Sequence, residues 1–357
     1  MNRILLIGNG FDLAHDLKTK YEHFIDDYWT QKAKSFQDAY NEKKLIGTSR
    51  TVYKYEDEDN TVNGISYYSN VKFSNHSNNI GYEYFLHTLF CVEVKNNNLS
   101  FKNKFLEQLN KKNISKNWVD IENEYYLALN QCLTDKCEDR IEQLNKDFLS
   151  IKKALYSYLR NQIKELPAKL PAIESIIYSN PFDVRFDNSN FIIYLNFNYT
   201  YLEKIYQNDM NKDKIIHIHG MLDEPRNPII FGYGDELDDK FKHIKQNGNN
   251  SYLENVKSIK YAETRNYRDL LTYINNDAYE VFILGHSCGV SDRTLLNLLF
   301  EHENCKYIKV FYHKRKDSTD NYSDLIQNIY RNFSNKNKFR EKVINKEESE
   351  PLLDPYV

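Results

Sequence analysis

The residues best suited to chemistry in this chain lie in short glycine-bearing segments, each of which follows an apolar run. The chain has only 11 glycines in 357 residues, and most of them fall in four such segments, at 8–10, 220, 232–234 and 285–289. A chain so poor in glycine places it where the backbone must turn with positive φ or admit a close neighbour. The polar residues beside these glycines are therefore the first candidates for a functional site.

The first segment, Gly8–Asp12, directly follows the apolar run at the N-terminus. Backbone N–H groups of two glycines at a strand end can hold a phosphate. The dinucleotide fingerprint G-x-G-x-x-G is not completed, because Leu13 stands at the third glycine position and no acidic residue ends a second strand about 20 residues later. The segment therefore does not support an ordinary nicotinamide dehydrogenase, and a tight turn that needs glycine is the alternative.

Two later strand ends carry an amide and an imidazole. The Asn198 amide can hydrogen-bond a ribose hydroxyl or a water. The alternative is that it bonds the backbone of its own turn, as Asn residues at strand ends usually do. His217 and His219 alternate onto one face of their strand, but no third ligand is near, so a metal site is not predicted. His219, next to Gly220 at the strand end, is the better candidate for a general base, with a structural histidine as the alternative.

The last glycine segment, Gly285–Gly289, matches the G-x-S-x-G pattern of a hydrolase nucleophile elbow. A serine hydrolase with Ser287 as nucleophile is therefore an alternative function. Its acid and its histidine would come from Asp292 or Asp317 and from His302 or His313. About 70 residues follow Ser287, which is cramped for the strands that present these groups, so a loop that binds a phosphate or a ribose is preferred.

A further acidic pair, Asp120 and Glu122, opens a predicted helix. Acidic residues are favourable in a first helical turn, and two positions apart they lie on different faces. A structural role is therefore favoured, and a metal-holding pair in a nuclease is the alternative.

The elements that must position these residues are short, continuous apolar runs rich in Ile, Val, Phe and Tyr. They are Arg3–Ile7, Phe191–Leu195, Lys214–Ile218, Pro228–Phe231, Glu280–Leu284 and Tyr307–Tyr312. Such runs are typical of parallel strands covered on both faces, and helical patterns lie between them. The pattern predicts an α/β fold with an open parallel sheet flanked by helices. Ligands bind such sheets outside the carboxyl ends of the strands, where the glycine segments lie.

The middle of the chain differs in character. Residues 30–185 are polar at first and then helical in pattern, which predicts a large, mainly helical insertion after the first strand and helix. The core would then comprise 1–29 and 186–333, and a Lys-rich C-terminal tail would follow at 334–357.

Composition argues against nucleic-acid-binding, membrane and zinc proteins. Lys and Arg total 48 against 51 Asp and Glu, so the net charge of −3 gives no strong electrostatic case for nucleic acid or an anionic membrane as main partner, although a local basic patch stays possible. Mean hydropathy is −0.72, and the longest apolar stretches, about five residues, are far short of the ~20 that cross a bilayer. A cytoplasmic protein is expected. The five cysteines show no zinc-binding spacing, so reduced thiols and no metal are expected.

Five motifs resemble those of the AbiH family of bacterial phage abortive-infection proteins. They are ILLIGNGFDLAHDLKTKY at 4–21, WVDIENEY at 118–125, NFNYT at 196–200, IHIHG at 216–220 and ILGHSCGVSD at 283–292. They occur in the family's order and extend over most of the chain. The resemblance implies a role in phage defence.

The same motifs resemble a divergent, Rossmann-like sirtuin layout, in which glycine loops and an Asn and a His at strand ends surround NAD. The resemblance implies three catalytic residues, Asp12, Asn198 and His219. It also implies binding residues, which are Gly8, Asn9, Gly10, Phe11, Gly220, Gly285, His286 and Ser287. The first loop would hold the pyrophosphate and nicotinamide side, Asn198 and His219 would flank the nicotinamide ribose, and the last loop would hold the adenosine side.

Sirtuin-like domains in phage defence hydrolyse NAD, so the resemblance implies an NAD nucleosidase that releases nicotinamide and ADP-ribose. NAD would be a substrate, with no cofactor, and the expected partners include a phage-derived trigger and a second copy of the chain. Two departures matter: the four-cysteine zinc module of sirtuins is absent, which argues against protein deacylation, and His286 stands where sirtuins usually have Thr. A non-catalytic nucleotide sensor is a further alternative.

Overall fold

A computed structural model describes residues 1–32, 54–56, 60–63, 99–116, 120–135, 138–179, 191–207, 213–234 and 238–354. The chain forms two compact units. One comprises Met1–Lys20, Tyr125–Lys136 and Leu159–Val357, and the other comprises Tyr21–Glu124 and Cys137–Tyr158. The insertion predicted at 30–185 stays a prediction, and its boundary at 185–186 lies outside the described residues.

Strands and helices are numbered separately along the chain. The strands are β1 (Asn2–Ile7), β2 (Lys54–Glu56), β3 (Asn60–Asn63), β4 (Leu99–Phe101), β5 (Ile192–Asn196), β6 (Lys214–His217), β7 (Tyr279–Leu284), β8 (Cys305–Tyr312) and β9 (Glu350–Pro351). The helices are α1 (Asn9–Ala14), α2 (21–32), α3 (Lys104–Lys116), α4 (Ile121–Thr134), α5 (Glu138–Gln162), α6 (Pro171–Ile177), α7 (Asp239–Gln246), α8 (Lys257–Lys260), α9 (Asn266–Asn276), α10 (Arg293–Glu301), α11 (Tyr322–Asn332) and α12 (Lys336–Lys342). Within these described helices, no stretch combines the length and apolar character that a membrane span needs.

The first unit is built on a six-stranded parallel sheet in the order β6-β5-β1-β7-β8-β9. The α/β fold with an open parallel sheet is therefore confirmed. The chain builds the sheet outward from β1 on one side through β5 and β6, and then on the other side through β7, β8 and β9. The order thus reverses between β1 and β7, which pair from Asn2↔Tyr279 to Ile7↔Leu284. The second unit contains an antiparallel sheet in the order β2-β3-β4.

The central strands are buried along their whole length, because helices cover both faces of the sheet. Every residue of β1, β5 and β7 is buried. Alternate side chains point to opposite faces, so Ile4 and Leu6 join one hydrophobic cluster with α9, α10 and α11, while Leu5 and Ile7 join another with α1 and α6. Continuous apolar runs are the sequence pattern that such two-sided burial requires.

Two details of the strand prediction are wrong. Pro228–Phe231 is not a strand: its apolar residues are buried, but the segment is a loop whose Ile230 N–H donates to His219 O at 2.7 Å. The missed sixth strand is β9, which pairs with β8 through Phe311↔Glu350 and Tyr312↔Pro351. Burial alone therefore does not separate a strand from a packed loop.

Candidate active site at the carboxyl ends of the strands

The loop after β1 and the loop after β7 pack directly on each other at the point where the strand order reverses. Gly10 N–H donates to Gly285 O at 2.8 Å, and Gly8 N–H donates to Leu284 O at 3.2 Å. Gly285 has a φ of +74°, and a Cβ there would lie 2.1 Å from Phe11 N. These glycines are thus required for the close approach of two backbones.

This packing uses two of the backbone N–H groups that the sequence predicts as phosphate donors in the first loop. The amides of Gly8 and Gly10 are already bonded within the protein. Asn9 is exposed between them, and its N–H donates to no group in the described part of the chain. Its side-chain Oδ1 accepts a hydrogen bond from Thr19 Oγ1.

Asp12 lies in a buried network with uncharged donors. Its Oδ1 accepts from Asn198 Nδ2 at 2.9 Å and its Oδ2 accepts from Thr200 Oγ1 at 2.7 Å. Asn198 Nδ2 also donates to Gly8 O at 3.0 Å. Burial raises the pKa of Asp12 to about 7, and the two donors oppose this rise while the nearby Glu203 carboxyl adds to it. Asp12 therefore exchanges a proton near neutral pH.

The turn that presents Asn198 is held by Asn196, the last residue of β5. Asn196 Oδ1 accepts from the N–H of Asn198 at 2.7 Å, and its Nδ2 donates to Glu203 Oε2. His217 places Nε2 at 2.9 Å from Glu203 Oε1. Among the described residues, no group of three His, Cys, Asp or Glu side chains is arranged to hold a metal.

A second buried network surrounds Asp292, the residue that precedes α10. Its Oδ1 lies 2.8 Å from Lys257 Nζ and 3.1 Å from His219 Nε2, and its Oδ2 lies 3.6 Å from His286 Nε2. Lys257 is fully buried. Burial alone would raise the pKa of Asp292, but Lys257 and the two histidines hold that pKa well below its usual range. Asp292 is therefore a carboxylate at neutral pH.

His219 is neutral at physiological pH. Burial and the Lys257 charge lower its pKa to about 4, although Asp292 opposes both effects. His219 Nε2 also lies 3.2 Å from the Tyr261 hydroxyl.

Phe197 connects the two networks. Its ring centroid lies 5.0 Å from that of His219 and 4.3 Å from that of His286. Since Phe197 directly precedes Asn198, both networks lie at the same edge of the sheet. The structure thus brings Asp12, Asn198 and His219 to this edge.

The model of one protein family matches residues 4–314, and that family is bacteriophage abortive infection AbiH. The chain belongs to the AbiH family. The match confirms the predicted family, and its abortive-infection description supports a role in phage defence. No curated protein and no solved structure matches the chain.

Ser287 of this AbiH chain makes no side-chain hydrogen bond to a histidine or an acidic residue within the described part of the chain. Its side chain is exposed, and in the described residues its hydrogen bond is that of its carbonyl with Asn328 Nδ2 at 2.9 Å. The residue after Ser287, Cys288, has a positive φ of +53°, and burial raises the pKa of its thiol. Asp292 faces His219, and His302 pairs with Asn275.

Asp120 has a structural role in this AbiH chain. Its Oδ1 accepts from the N–H of Asn123 at 3.0 Å, which caps the start of α4. A separate cavity of about 790 Å³ opens beside α7 and the C-terminal part of α4, and none of its lining residues belongs to either buried network.

Sequence reasoning missed Lys257 and Tyr261 and gave Asp292 a different role. Lys257 lies in a short helix beside Lys260, where a lysine usually faces solvent. The sequence suggests Asp292 only as the acid of a Ser287 triad. No local motif links these residues to His219, because the contacts form between segments 35 or more residues apart.

Proposed function

We propose that this phage-defence protein hydrolyses NAD to nicotinamide and ADP-ribose at the carboxyl ends of β1, β5, β6 and β7. The observation that carries the proposal is a pair of acceptor atoms at one sheet edge. Asn198 Oδ1 and His219 Nδ1 make no hydrogen bond within the described chain, although the opposite atom of each side chain is bonded. Two such acceptors suit the positioning and deprotonation of a water molecule.

The strand order supports a nucleotide as substrate. If the six strands of the first unit's sheet are numbered in chain order, their order across the sheet is 3-2-1-4-5-6. This is the order of doubly wound dinucleotide-binding sheets, whose ligands occupy the crevice where the order reverses. Here that point lies between β1 and β7, beside both glycine loops. The sirtuin-like layout is proposed on this basis together with the sequence motifs.

The proposed step is attack of water on C1′ of the nicotinamide ribose. The bond from C1′ to the pyridinium nitrogen breaks, and its electron pair neutralises the positive charge of the nicotinamide ring. The ribose passes through an oxocarbenium-like state, which must be stabilised more strongly than the bound substrate. Asn198 Oδ1 accepts a hydrogen bond from one O–H of the water. His219 Nδ1 acts as the base and takes the proton of the other O–H.

Asp12 acts in this proposal by orienting Asn198. With its Nδ2 held by Asp12 and by Gly8 O, the amide must present Oδ1 to the substrate side. This places a neutral or singly charged carboxyl behind the water-binding amide without direct contact with the reacting atoms.

The binding residues divide into two groups. The exposed Asn9 and Ser287 would contact the pyrophosphate and the adenosine half. Gly8, Gly10 and Gly285 would hold the two loops together. Phe11 and His286 are buried, and would shape the loops from beneath.

Gly220 would admit the loop that passes His219. It has a φ of +79°, and a Cβ at this position would lie 2.1 Å from Pro228 O. A side chain there would displace the 228–231 segment, whose Ile230 N–H is bonded to His219 O. Gly220 thus has a positioning role in the proposal.

The test is nicotinamide release from NAD by the purified full chain, with calorimetric NAD binding in parallel. The wild type is expected to release nicotinamide, and His219→Gln and Asn198→Ala are expected to lose on the order of 10²-fold or more of that rate. His243→Gln is the matched control, because His243 is exposed on α7.

Binding without release would replace the proposal with a nucleotide sensor. If the chain neither binds NAD nor releases nicotinamide, the proposal is overturned. If Ser287→Ala abolished hydrolysis and His219→Gln did not, the serine hydrolase alternative would take its place.

A further inference from the structure

We infer that Asp292 and Lys257 are positioning residues that keep His219 neutral, with its proton on Nε2 and its lone pair on Nδ1. The inference rests on the proposed function only in taking His219 as the base. Its central statement concerns the resting protein and is measurable without substrate.

The geometry assigns the proton on His219. Nε2 lies 3.1 Å from Asp292 Oδ1 and 3.2 Å from the Tyr261 hydroxyl. An ionised carboxylate only accepts hydrogen bonds, so the ring nitrogen that faces it must donate. A neutral imidazole carries a single N–H, and Nδ1 is then the acceptor.

Lys257 explains why this carboxylate does not draw a second proton onto the ring. Its Nζ lies 2.8 Å from the same Oδ1 that His219 faces, in a fully buried position. The Lys257 ammonium thus balances the negative charge of Asp292 without a charge on His219. Without Lys257, a buried carboxylate beside an imidazole would favour the imidazolium.

His286 faces the other carboxylate oxygen of Asp292. Its Nδ1 accepts from the N–H of Cys288 at 3.0 Å, so its own proton lies on Nε2, which is 3.6 Å from Asp292 Oδ2. The polar groups that face His219 are therefore Lys257, Asp292, His286 and Tyr261, and Phe197 covers it with an apolar ring.

The arrangement matters when His219 accepts a proton. The imidazolium forms 3.1 Å from a carboxylate that is already in place and needs no reorganisation. Asp292 stays ionised throughout and never takes the proton itself. It acts through His219, as the orienting acid of a base does in other hydrolases.

The test is the protonation state of His219 in the full chain labelled with ¹⁵N-histidine. Long-range ¹H–¹⁵N spectra are recorded between about pH 5 and pH 8, the range in which histidine ordinarily titrates. The His219 signal is identified by its loss in His219→Gln. We expect wild-type His219 to be neutral and protonated on Nε2 throughout. An Nδ1–H form, or an imidazolium at neutral pH, would overturn the inference.

Two isosteric variants sharpen this test. Lys257→Met is expected to raise the pKa of His219, so that the imidazolium appears within the titration range. Asp292→Asn is expected to mix the two neutral forms, because an amide can donate as well as accept. The double variant removes both buried charges together and remains informative if a single variant does not fold. Asp277→Asn, an exposed site, is the control and should leave the His219 spectrum unchanged.

Activity separates this inference from the proposed function. If nicotinamide is released, Asp292→Asn should lower kcat by on the order of 10²-fold with KM unchanged. The expected spectra without nicotinamide release would defeat the proposed function alone. Nicotinamide release with an Nδ1–H His219 would defeat this inference alone.

Discussion

Asp12 and Asp292 are two buried carboxyl groups at one edge of the same sheet, and their surroundings are opposite. Asp12 is met by the uncharged donors of Asn198 and Thr200. Asp292 is met by the Lys257 ammonium and two histidines. Burial raises the pKa of the first to about 7, whereas the Lys257 ammonium and the two histidines hold the pKa of the second well below its usual range. The comparison shows that the partner, and not the depth of burial, decides the charge of a buried acid.

The difference assigns different work to the two acids. A carboxylate that is permanently charged can stabilise a neighbouring imidazolium without exchanging its own proton. A carboxyl that titrates near neutrality instead makes its own network depend on pH. Substitutions in each network test whether the two acids differ in this way.

Removal of Asp292 should have the largest effect on stability. Asp292→Ala leaves the fully buried Lys257 cation without its acid. An uncompensated buried charge of this kind costs about 3–5 kcal/mol in the free energy of unfolding. Urea denaturation of the variant and of the exposed control Asp277→Ala measures it. A loss below about 1 kcal/mol, typical of exposed pairs, would show that the second network is not a buried charge pair.

Asp12 should make stability fall as pH rises. Its folded pKa of about 7 lies above the unfolded value of 3.8, so the folded state retains its proton in a range where the unfolded state loses it. The stability that Asp12 contributes is thus present below pH 4 and is lost as pH rises through 7. Between pH 5 and pH 7 the loss is about 2 kcal/mol.

The measurement is the difference between the stability–pH curves of the wild type and Asp12→Asn. The subtraction is necessary because His219, whose folded pKa is lowered to about 4, has the opposite slope. Stability from His219 is lost as pH falls below its unfolded value of 6.5. Parallel curves for the two proteins would contradict the raised pKa of Asp12.

Thr200→Val should have the smallest effect. It removes the 2.7 Å hydrogen bond to Asp12 Oδ2 and preserves the shape of the side chain. The expected cost at pH 5 is about 1 kcal/mol, and the pKa of Asp12 should rise further because this bond lowers it. Thermal denaturation beside the exposed control Thr272→Val measures the cost. A higher stability at pH 5 than the wild type would contradict the account of this network.

Much of the sheet was predictable because its strands are buried on both faces. Two-sided burial selects continuous runs of Ile, Leu, Val and Phe, as in β1, β5 and β7. The same rule failed at Pro228–Phe231, where an equally apolar segment packs as a loop over His219. It also failed at Glu350–Pro351, since a two-residue edge strand carries no pattern and is defined only by its pairing with β8.

The candidate site was predictable at strand ends and not elsewhere. Asn198 and His219 stand beside glycines or turns, so their positions along the chain indicated the edge of the sheet. Lys257 and Tyr261 come from a helical segment that returns to this edge from outside the sheet. Their roles depend on charge compensation across long chain separations, which spacing does not encode. The packing of Gly10 against Gly285 is likewise visible only in three dimensions.

The most direct test of NAD cleavage as the means of phage defence is the NAD content of infected cells. Bacteria carrying the wild-type gene, His219→Gln or His243→Gln are infected, and NAD and nicotinamide are measured over time. A phage-derived trigger, if one is needed, is then present. The account predicts that NAD falls and nicotinamide rises with the wild type and His243→Gln, and that His219→Gln loses both the change and the protection. Protection by the wild type with unchanged NAD would contradict it.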